Sequence, residues 1–141
     1  YKLGETTGDE IRVNTLQVPP TDVSSNPLKS KETDMISDFL EQVKHYKPDI
    51  VGLSTTEPTY KNGLGLLQSI QDKNIFTIVG GAYPTLCPEI VINDNAVDAV
   101  CVGEGEGPLV ELCQQIQCET MDYAIDNIWF KNNSEILFTT A

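Results

Sequence analysis

The spacing of apolar and polar residues changes near residue 30 of this chain. Before that point, apolar residues are scattered and interrupted by Pro19-Pro20 and Asn26-Pro27, a pattern typical of loops. We therefore expect an irregular lead-in over residues 1–30, although 11–18 has the composition of a strand. Beyond it, stretches with an apolar residue every three or four positions alternate with short, continuously apolar runs. This alternation predicts helices that follow buried strands.

Four stretches show the spacing of helices that bury one face. They begin at Ser30, which is a candidate cap, at Pro58, at Thr85, where Pro88-Glu89 is expected to start the helix, and at Gly107. Three other runs are apolar throughout and are predicted to be buried strands. The predicted strands are 49–54, 75–79 and 97–102, followed by a β-hairpin of 127–130 and 135–138.

The order of these elements predicts the fold class. Strands that are apolar on both sides and separated by helices are typical of a parallel sheet covered on both faces. Because crossovers between parallel strands are right-handed, the expected architecture is an α/β, Rossmann-like, doubly wound sheet with a C-terminal β-hairpin.

Three loops leave the carboxyl ends of the predicted parallel strands, where open α/β sheets bind ligands. Small, hydroxyl-bearing and glycine residues dominate them, so backbone N–H groups and hydroxyls face an open surface, which we call the shelf. The shelf consists of Ser54, Thr55, Thr56, Glu57 and Pro58; Gly80, Gly81, Ala82, Tyr83, Pro84 and Thr85; and Gly103, Glu104, Gly105, Glu106 and Gly107. Any doubly wound domain needs tight turns here, so a single glycine-rich loop would indicate little.

Common nucleotide-binding motifs do not occur in the sequence. The third loop carries Glu104 and Glu106, which would repel phosphate, and no P-loop lysine follows. The pattern G-x-G-x-x-G is also missing. Both carboxylates fit a structural role at the start of the following helix, where negative charge is favourable, better than a role in acid–base chemistry.

Charge and length narrow the class of partner. The 141 residues include 9 Lys and Arg against 21 Asp and Glu, a net charge of −12 that disfavours nucleic acid. No apolar run approaches the ~20 residues of a membrane span, and no signal peptide is visible. Because the chain starts at Tyr1 rather than Met, we expect it to be a piece of a longer protein.

The cysteines do not predict a metal site or a disulfide framework. They lie at positions 87, 101, 113 and 118 without any C-x-x-C pair, and the single histidine, His45, is remote from them. Cys101 in an apolar strand and Cys113 on the apolar side of a helix are expected to be small buried hydrophobes. Unpaired cysteines indicate the reducing cytoplasm as the setting.

Three segments together resemble the cobalamin (vitamin B12)-binding domain that precedes the catalytic domain of class B radical-SAM enzymes. They are "PDIVGLSTTEPTYKNGLGLLQSIQ", "IVGGAYPTLCPE" and "VDAVCVGEGEGPLVEL", and the resemblance covers about residues 31–138. Ser54 matches the serine of the family's Ser-x-Leu element, with Thr56 in place of leucine. Gly80-Gly81 matches its Gly-Gly element. The resemblance implies that the shelf binds the nucleotide tail of cobalamin against the bare glycine backbone.

Two departures from the family pattern stand out. The Asp-x-His-x-x-Gly element is missing, and with it the histidine that replaces the lower base of the cofactor; His45 lies on a helix at the opposite edge of the sheet. The first strand, helix and second strand of the family are also missing. The resemblance places Tyr1 just after that second strand, so a long apolar strand edge is expected to be exposed.

Tyr83 stands where relatives often carry histidine. The resemblance allows it a place against the lower face of the corrin, whereas a simpler interpretation is a ring packed over the turn. The residues expected to contact cobalamin are Ser54, Thr55, Thr56, Pro58, Gly80, Gly81, Ala82, Tyr83, Thr85, Gly103, Glu104, Gly105 and Glu106. No catalytic residue and no protein metal ligand is expected in this segment.

The sequence lacks the C-x-x-x-C-x-x-C motif of a radical-SAM cluster, so any reaction would belong to another domain. The resemblance implies a cobalamin-binding domain over 31–120 and a hairpin or linker over 121–141 toward a C-terminal radical-SAM domain. That domain would use S-adenosylmethionine and a [4Fe–4S] cluster to methylate or oxidatively cyclise a small molecule, a tetrapyrrole being one option. The alternatives are a docking domain that has lost cobalamin and, less in keeping with the strand ends, a receiver-type or flavodoxin-like domain.

Overall fold

The structure is a computed structural model that describes residues 28–139, with side chains from residue 35 onward. The predicted lead-in falls almost wholly outside this range. Ten elements follow one another along the described chain. They are α1 (Leu28–Tyr46), β1 (Ile50–Ser54), α2 (Glu57–Ser69), β2 (Phe76–Gly80), α3 (Ala82–Leu86), α4 (Pro88–Ile92), β3 (Ala99–Cys101), α5 (Glu106–Gln117), β4 (Ile128–Asn132) and β5 (Glu135–Phe138).

The five strands form one sheet in the order in which they occur in the chain. Strand β1 pairs with β2, and β2 with β3, in parallel, which confirms the predicted doubly wound α/β core. Strands β4 and β5 form the predicted hairpin, and β4 adds antiparallel to β3. The sheet is therefore mixed, and β1 forms one of its edges.

Helices cover both faces of the sheet. One core layer lies between the sheet and helices α1, α2 and α4, and its central side chains are Leu67, Val79, Val91, Val97 and Val100. The second layer lies under α5 and contains Ile78, Leu112, Ile125, Ile128 and Phe130. Successive residues of each strand alternate between the two layers, so strands β2 and β3 are apolar on both sides, as the sequence indicated.

The hairpin belongs to the sheet because its first strand supplies buried side chains. Ile128 and Phe130 are almost completely buried in the layer beneath α5, while Trp129 between them points to the other layer. Trp129 stacks on Phe138 with ring centroids 4.7 Å apart. The sequence predicted the hairpin but not its pairing with β3.

Two predicted element boundaries are wrong. Helix α1 begins at Leu28, so Ser30 lies inside the helix rather than at its cap. The helix predicted over 85–92 is shorter than expected: α4 begins at Pro88, which confirms Pro88-Glu89 as its start, whereas Thr85 belongs to the separate short helix α3. Cys87, with φ −134° and ψ 54°, lies between the two helices. Pro88 explains this break, because the residue before a proline is pushed out of the helical conformation.

Candidate functional site at the carboxyl edge of the sheet

The three predicted loops meet at one edge of the sheet. Since β1, β2 and β3 are adjacent and parallel, their carboxyl ends lie side by side, and Ser54 is in register with Gly80. The backbone N–H of Thr55 donates to the carbonyl of Gly80 at 2.9 Å, which continues the pairing one residue into the loops. The shelf is therefore formed as the sequence predicted.

Gly81 is required by the packing of the first two loops. Its φ is +108°, a conformation that residues with a side chain rarely adopt. A Cβ atom on Gly81 would lie 2.8 Å from the backbone nitrogen of Thr55 and would also collide with the carbonyl of that residue. The second glycine of the pair thus allows the loop after β2 to lie directly on the loop after β1.

Gly80 has a different environment. A Cβ atom added there would make only an ordinary contact, 3.5 Å from the Cβ of Cys101. Its backbone conformation is that of a regular strand. Nothing in the packing of the described residues therefore demands glycine at this position, and the bare backbone faces outward.

Gly80 continues a strip of small residues on the α5 side of the sheet. Because side chains alternate along a strand, Gly52 and Ser54 of β1 face the same side as Ile50, which belongs to the layer under α5. Gly52 and Ser54 are exposed, and Gly80 is half-buried. We call Gly52, Ser54 and Gly80 the small-residue strip. Among residues 35–139 the Ser54 hydroxyl makes no hydrogen bond.

Cys101 forms the floor beside this strip. The thiol is almost completely buried, and burial raises its pKa, so it carries no charge at neutral pH. A Cβ atom on Gly105 would lie 3.1 Å from the Cys101 Sγ, so the third loop also passes close to this side chain. Cys101 is thus the small buried hydrophobe that the sequence indicated.

Thr85 ties the second loop to the third. Its hydroxyl donates to the Gly81 carbonyl at 2.8 Å and accepts a hydrogen bond from the Gly103 N–H at 2.9 Å. Gly103 has φ +83° and is exposed. The donor and one acceptor position of the Thr85 hydroxyl are thus used within the chain, so Thr85 holds two glycine loops in place.

The threonines after β1 are held by a similar set of contacts. Thr55 is buried, and its hydroxyl lies 2.9 Å from both the Thr56 carbonyl and the Thr59 hydroxyl. Thr59 also accepts a hydrogen bond from the Thr56 N–H at 3.1 Å and so completes a cap at the start of α2. Sequence reasoning missed Thr59. Its signal was a hydroxyl three residues after the cap, where glutamate or glutamine is more usual.

Tyr83 packs toward α2. Its ring lies against Tyr60, with centroids 4.8 Å apart and an interplanar angle of 43°. Burial raises the pKa of the Tyr60 phenol to about 12, and the nearby Asp94 and Tyr83 add to this shift. The geometry agrees with the simpler interpretation of Tyr83 as a ring packed over the turn.

The remaining predicted residues lie on the outer side of the shelf. Pro58 is exposed in the first turn of α2, and Ala82 is exposed at the start of α3. Glu104 precedes α5, whereas Glu106 lies in its first turn, where its charge is favourable as expected. His45 is exposed near the end of α1, at the opposite edge of the sheet.

The described part of the chain offers no alternative metal centre. No group of three His, Cys, Asp or Glu side chains within it is arranged to hold a metal ion, and its four cysteines are unpaired. None of its helices has the length and apolar character needed to cross a bilayer.

Comparison with known proteins identifies the family of the chain. The family model of the B12 binding domain matches residues 10–113. An uncharacterized methyltransferase of Pyrococcus horikoshii, PH0819, is 27% identical over 103 residues, which are 71% of this chain and 22% of that protein. The cytidylyl-2-hydroxyethylphosphonate methyltransferase of Streptomyces wedmorensis is 31% identical over 72 residues, 49% of this chain and 14% of that protein. The chain therefore spans less than a quarter of either relative.

Two solved structures share the fold. The radical S-adenosylmethionine methyltransferase TsrM of Kitasatospora setae superposes with a TM-score of 0.68 at 16% identity, covering 79% of this chain and 22% of TsrM. The cobalamin-dependent S-adenosylmethionine radical enzyme OxsB, solved with aqua-cobalamin bound, gives a TM-score of 0.61 at 24% identity, covering 75% of this chain and 16% of OxsB. With three quarters of its length matched by the family model, this chain belongs to the B12-binding domain family.

Proposed function

We propose that the chain binds cobalamin across the shelf, with the nucleotide tail along the small-residue strip. The observation that carries this proposal is the bare backbone at Gly80. Gly81 is glycine because the chain's own packing requires it, whereas Gly80 is glycine where an ordinary Cβ would fit. A side chain at position 80 would fill the space above the strip, so a ligand pressed against the backbone explains the first glycine of the pair.

The chemistry of the site suits a large, mostly neutral ligand. The strip offers the hydroxyl of Ser54, which has no hydrogen-bond partner among residues 35–139, and two glycines without side chains leave room beside it. Cys101 beneath it is buried and uncharged. Glu104 and Glu106 are exposed on the third loop and disfavour a ligand with several phosphates. In this proposal Thr55 and Thr85 position the loops, while Ser54 and Gly80 contact the cofactor.

We further propose that the parent protein is a radical-SAM methyltransferase. In this proposal S-adenosylmethionine and a [4Fe–4S] cluster bind a C-terminal domain that follows the hairpin, and the substrate is a small molecule. The names of both curated relatives support methyl transfer, and the solved relatives are S-adenosylmethionine radical enzymes. Bound cobalamin would supply the methyl-transfer chemistry, while this domain would bind and orient it. No compared protein supports the oxidative cyclisation or the tetrapyrrole substrate.

A titration of hydroxocobalamin into the chain tests the proposal. We expect visible absorbance to report binding and amide NMR shifts to concentrate at Ser54–Thr56, Gly80–Thr85 and Gly103–Glu106. Gly80→Val should weaken binding by about tenfold or more, equivalent to about 1.4 kcal/mol. Gly65→Ala is the matched control, because a Cβ at that α2 position meets nothing within 4 Å. It should leave the affinity unchanged.

The outcome also separates the cofactor-binding function from the docking alternative. If the folded wild-type chain shows no shifts at the shelf, the titration is repeated with the parent protein. Binding only by the parent protein would support the proposal with a site completed by other parts of that protein. Failure of both proteins would favour a docking domain without cobalamin.

A further inference from the structure

A second surface lies at the opposite edge of the sheet, near the amino ends of β1 and β2. It is a groove of about 430 Å³ between the end of α1 and the turn that leads into β2. We call it the lysine groove. It is lined by Leu40, Val43, Lys44, Lys47, Pro48, Lys73 and Ile75. The floor is apolar, and every charged side chain among these lining residues is a lysine.

The charge of this groove is opposite to that of the rest of the described chain. Side chains 35–139 include 15 carboxylates but only five cations, at Lys44, Lys47, Lys61, Lys73 and Lys131. Three of these five cations line one groove. Within the described residues, the ammonium groups of these three lysines form no ion pair or hydrogen bond. The groove is thus a local positive site on an acidic domain.

Stability of α1 explains only part of this arrangement. Lys44 lies in the last turn of α1, where a cation offsets the partial negative charge of the helix end. Lys73 belongs to the turn after α2 and gains nothing from that effect. Lys47 has φ +51°, a left-handed conformation in which glycine or asparagine is usual after a helix. Lysine thus occupies an unfavourable backbone conformation at a position where its side chain adds positive charge to the groove.

We propose that the lysine groove binds an acidic peptide segment of a partner protein, with an apolar side chain on the floor and carboxylates beside the lysines. Two lysines stand on the α1 side of the groove and one on the side of the β2 turn. Cations on both sides of an apolar floor complement an apolar residue flanked by acidic residues. The groove lies at the edge opposite the shelf and shares no lining residue with it, so we expect its occupancy to be independent of cobalamin.

The probe is a synthetic hexapeptide with two central leucines flanked on each side by two glutamates. Amide NMR of the 141-residue chain should show saturable shifts at residues 40–48 and 73–75. A hexapeptide with serines in place of the leucines, and one with lysines in place of the glutamates, should bind about tenfold more weakly or not at all.

The variant test removes three charges without touching the floor. Lys44→Gln, Lys47→Asn and Lys73→Gln are combined, and asparagine is chosen because it tolerates positive φ. Binding of the acidic probe should fall about tenfold, while Lys61→Gln on α2 should leave it unchanged. The amide spectrum away from the groove reports whether each variant remains folded, and Lys73→Gln alone serves if the combined variant does not.

Three results would overturn the proposal. The first is an absence of shifts in the groove, and the second is equal binding by the wild type and the folded lysine variant. The third is equally strong binding of decanoate or inorganic phosphate, which would identify a general site for amphiphiles or anions. None of these results bears on hydroxocobalamin binding, so this proposal and the cofactor proposal stand or fall separately.

Discussion

Polar groups are paired differently at the amino and carboxyl edges of the parallel sheet, where the strands begin and end. At the amino edge, the carboxylate of Asp98 accepts a hydrogen bond from the N–H of buried Thr77 at 2.9 Å and lies 3.1 Å from the hydroxyl of the same residue. The Thr77 hydroxyl donates its proton to the Ala96 carbonyl at 2.6 Å. At the carboxyl edge, Ser54 is exposed, and Gly80 leaves its backbone uncovered on one side.

This difference separates stability from binding within one small domain. Buried polar groups that are fully paired stabilise the fold, and Lys131 adds to the same cluster by donating to the Asp94 carbonyl. The loops at the other edge also have internal hydrogen bonds, but these hold the backbone in place around an exposed surface. Substitutions within the Thr77–Asp98 cluster should therefore affect folding, and those on the shelf should affect ligand affinity.

The largest expected effect is that of Asp98→Ala. It removes the acceptor of the buried Thr77 N–H, so we expect a loss of about 2 kcal/mol in the free energy of unfolding. Urea unfolding followed by the fluorescence of Trp129, the only tryptophan, measures this loss. Asp98→Asn keeps an oxygen acceptor and should cost less.

The cobalamin affinity of Asp98→Ala is expected to remain unchanged, in contrast to its stability. Below the urea transition, folded Asp98→Ala should bind hydroxocobalamin as the wild type does, because Asp98 lies at the far edge. A variant as stable as the wild type would show that the Thr77–Asp98 cluster contributes nothing. A stable fold with lost affinity would show instead that the two edges are coupled.

The sequence predicted the shelf because the features that indicate it lie within short segments of the chain. Continuous apolar runs mark the strands, and the position of each loop at a strand end follows from parallel pairing alone. The start of α4 at Pro88 was equally local, because a proline fits the first turn of a helix and disfavours a helical residue before it.

The contacts that hold the shelf together could not be predicted in the same way. The hydrogen bond from Gly103 to Thr85 joins residues 18 positions apart, and it depends on the left-handed conformations of Gly81 and Gly103. The lysine groove likewise joins Lys44 and Lys73 from separate elements. The pairing of β4 with β3 depends on where α5 returns the chain, which the hairpin sequence does not encode.

A smaller effect is expected from Thr85→Val. Valine matches threonine in shape but loses both hydrogen bonds of the hydroxyl, so we expect a cost of about 1 kcal/mol in stability. Because the second and third loops are no longer tied, hydroxocobalamin affinity should fall several-fold. Hydrogen exchange of the Gly103 amide, measured without the cofactor, should become faster.

Thr85→Ser tests whether the hydroxyl itself is responsible. Serine keeps the donor and the acceptor, so it should restore slow exchange at Gly103 together with the affinity. If valine loosens Gly103 but leaves the affinity unchanged, Thr85 is purely structural. If valine lowers the affinity without a change in exchange, the hydroxyl contacts the cofactor directly, as the sequence first suggested.

The smallest effect concerns pH and the side of the shelf that faces α2. Burial, Asp94 and Tyr83 raise the pKa of Tyr60 to about 12 in the folded chain, against an ordinary value of about 10. Between about pH 10 and about pH 12 the unfolded chain releases this proton while the folded chain retains it. The contribution of Tyr60 to stability is therefore complete below about pH 10 and is lost as the pH rises through this window.

Tyr60→Phe keeps the ring contact with Tyr83 and removes the titrating group, so its urea midpoint should fall less steeply with rising pH than that of the wild type. Parallel slopes for the two proteins would mean that the phenol is solvated, and that Tyr83 rests on a more open surface than the ring contact indicates.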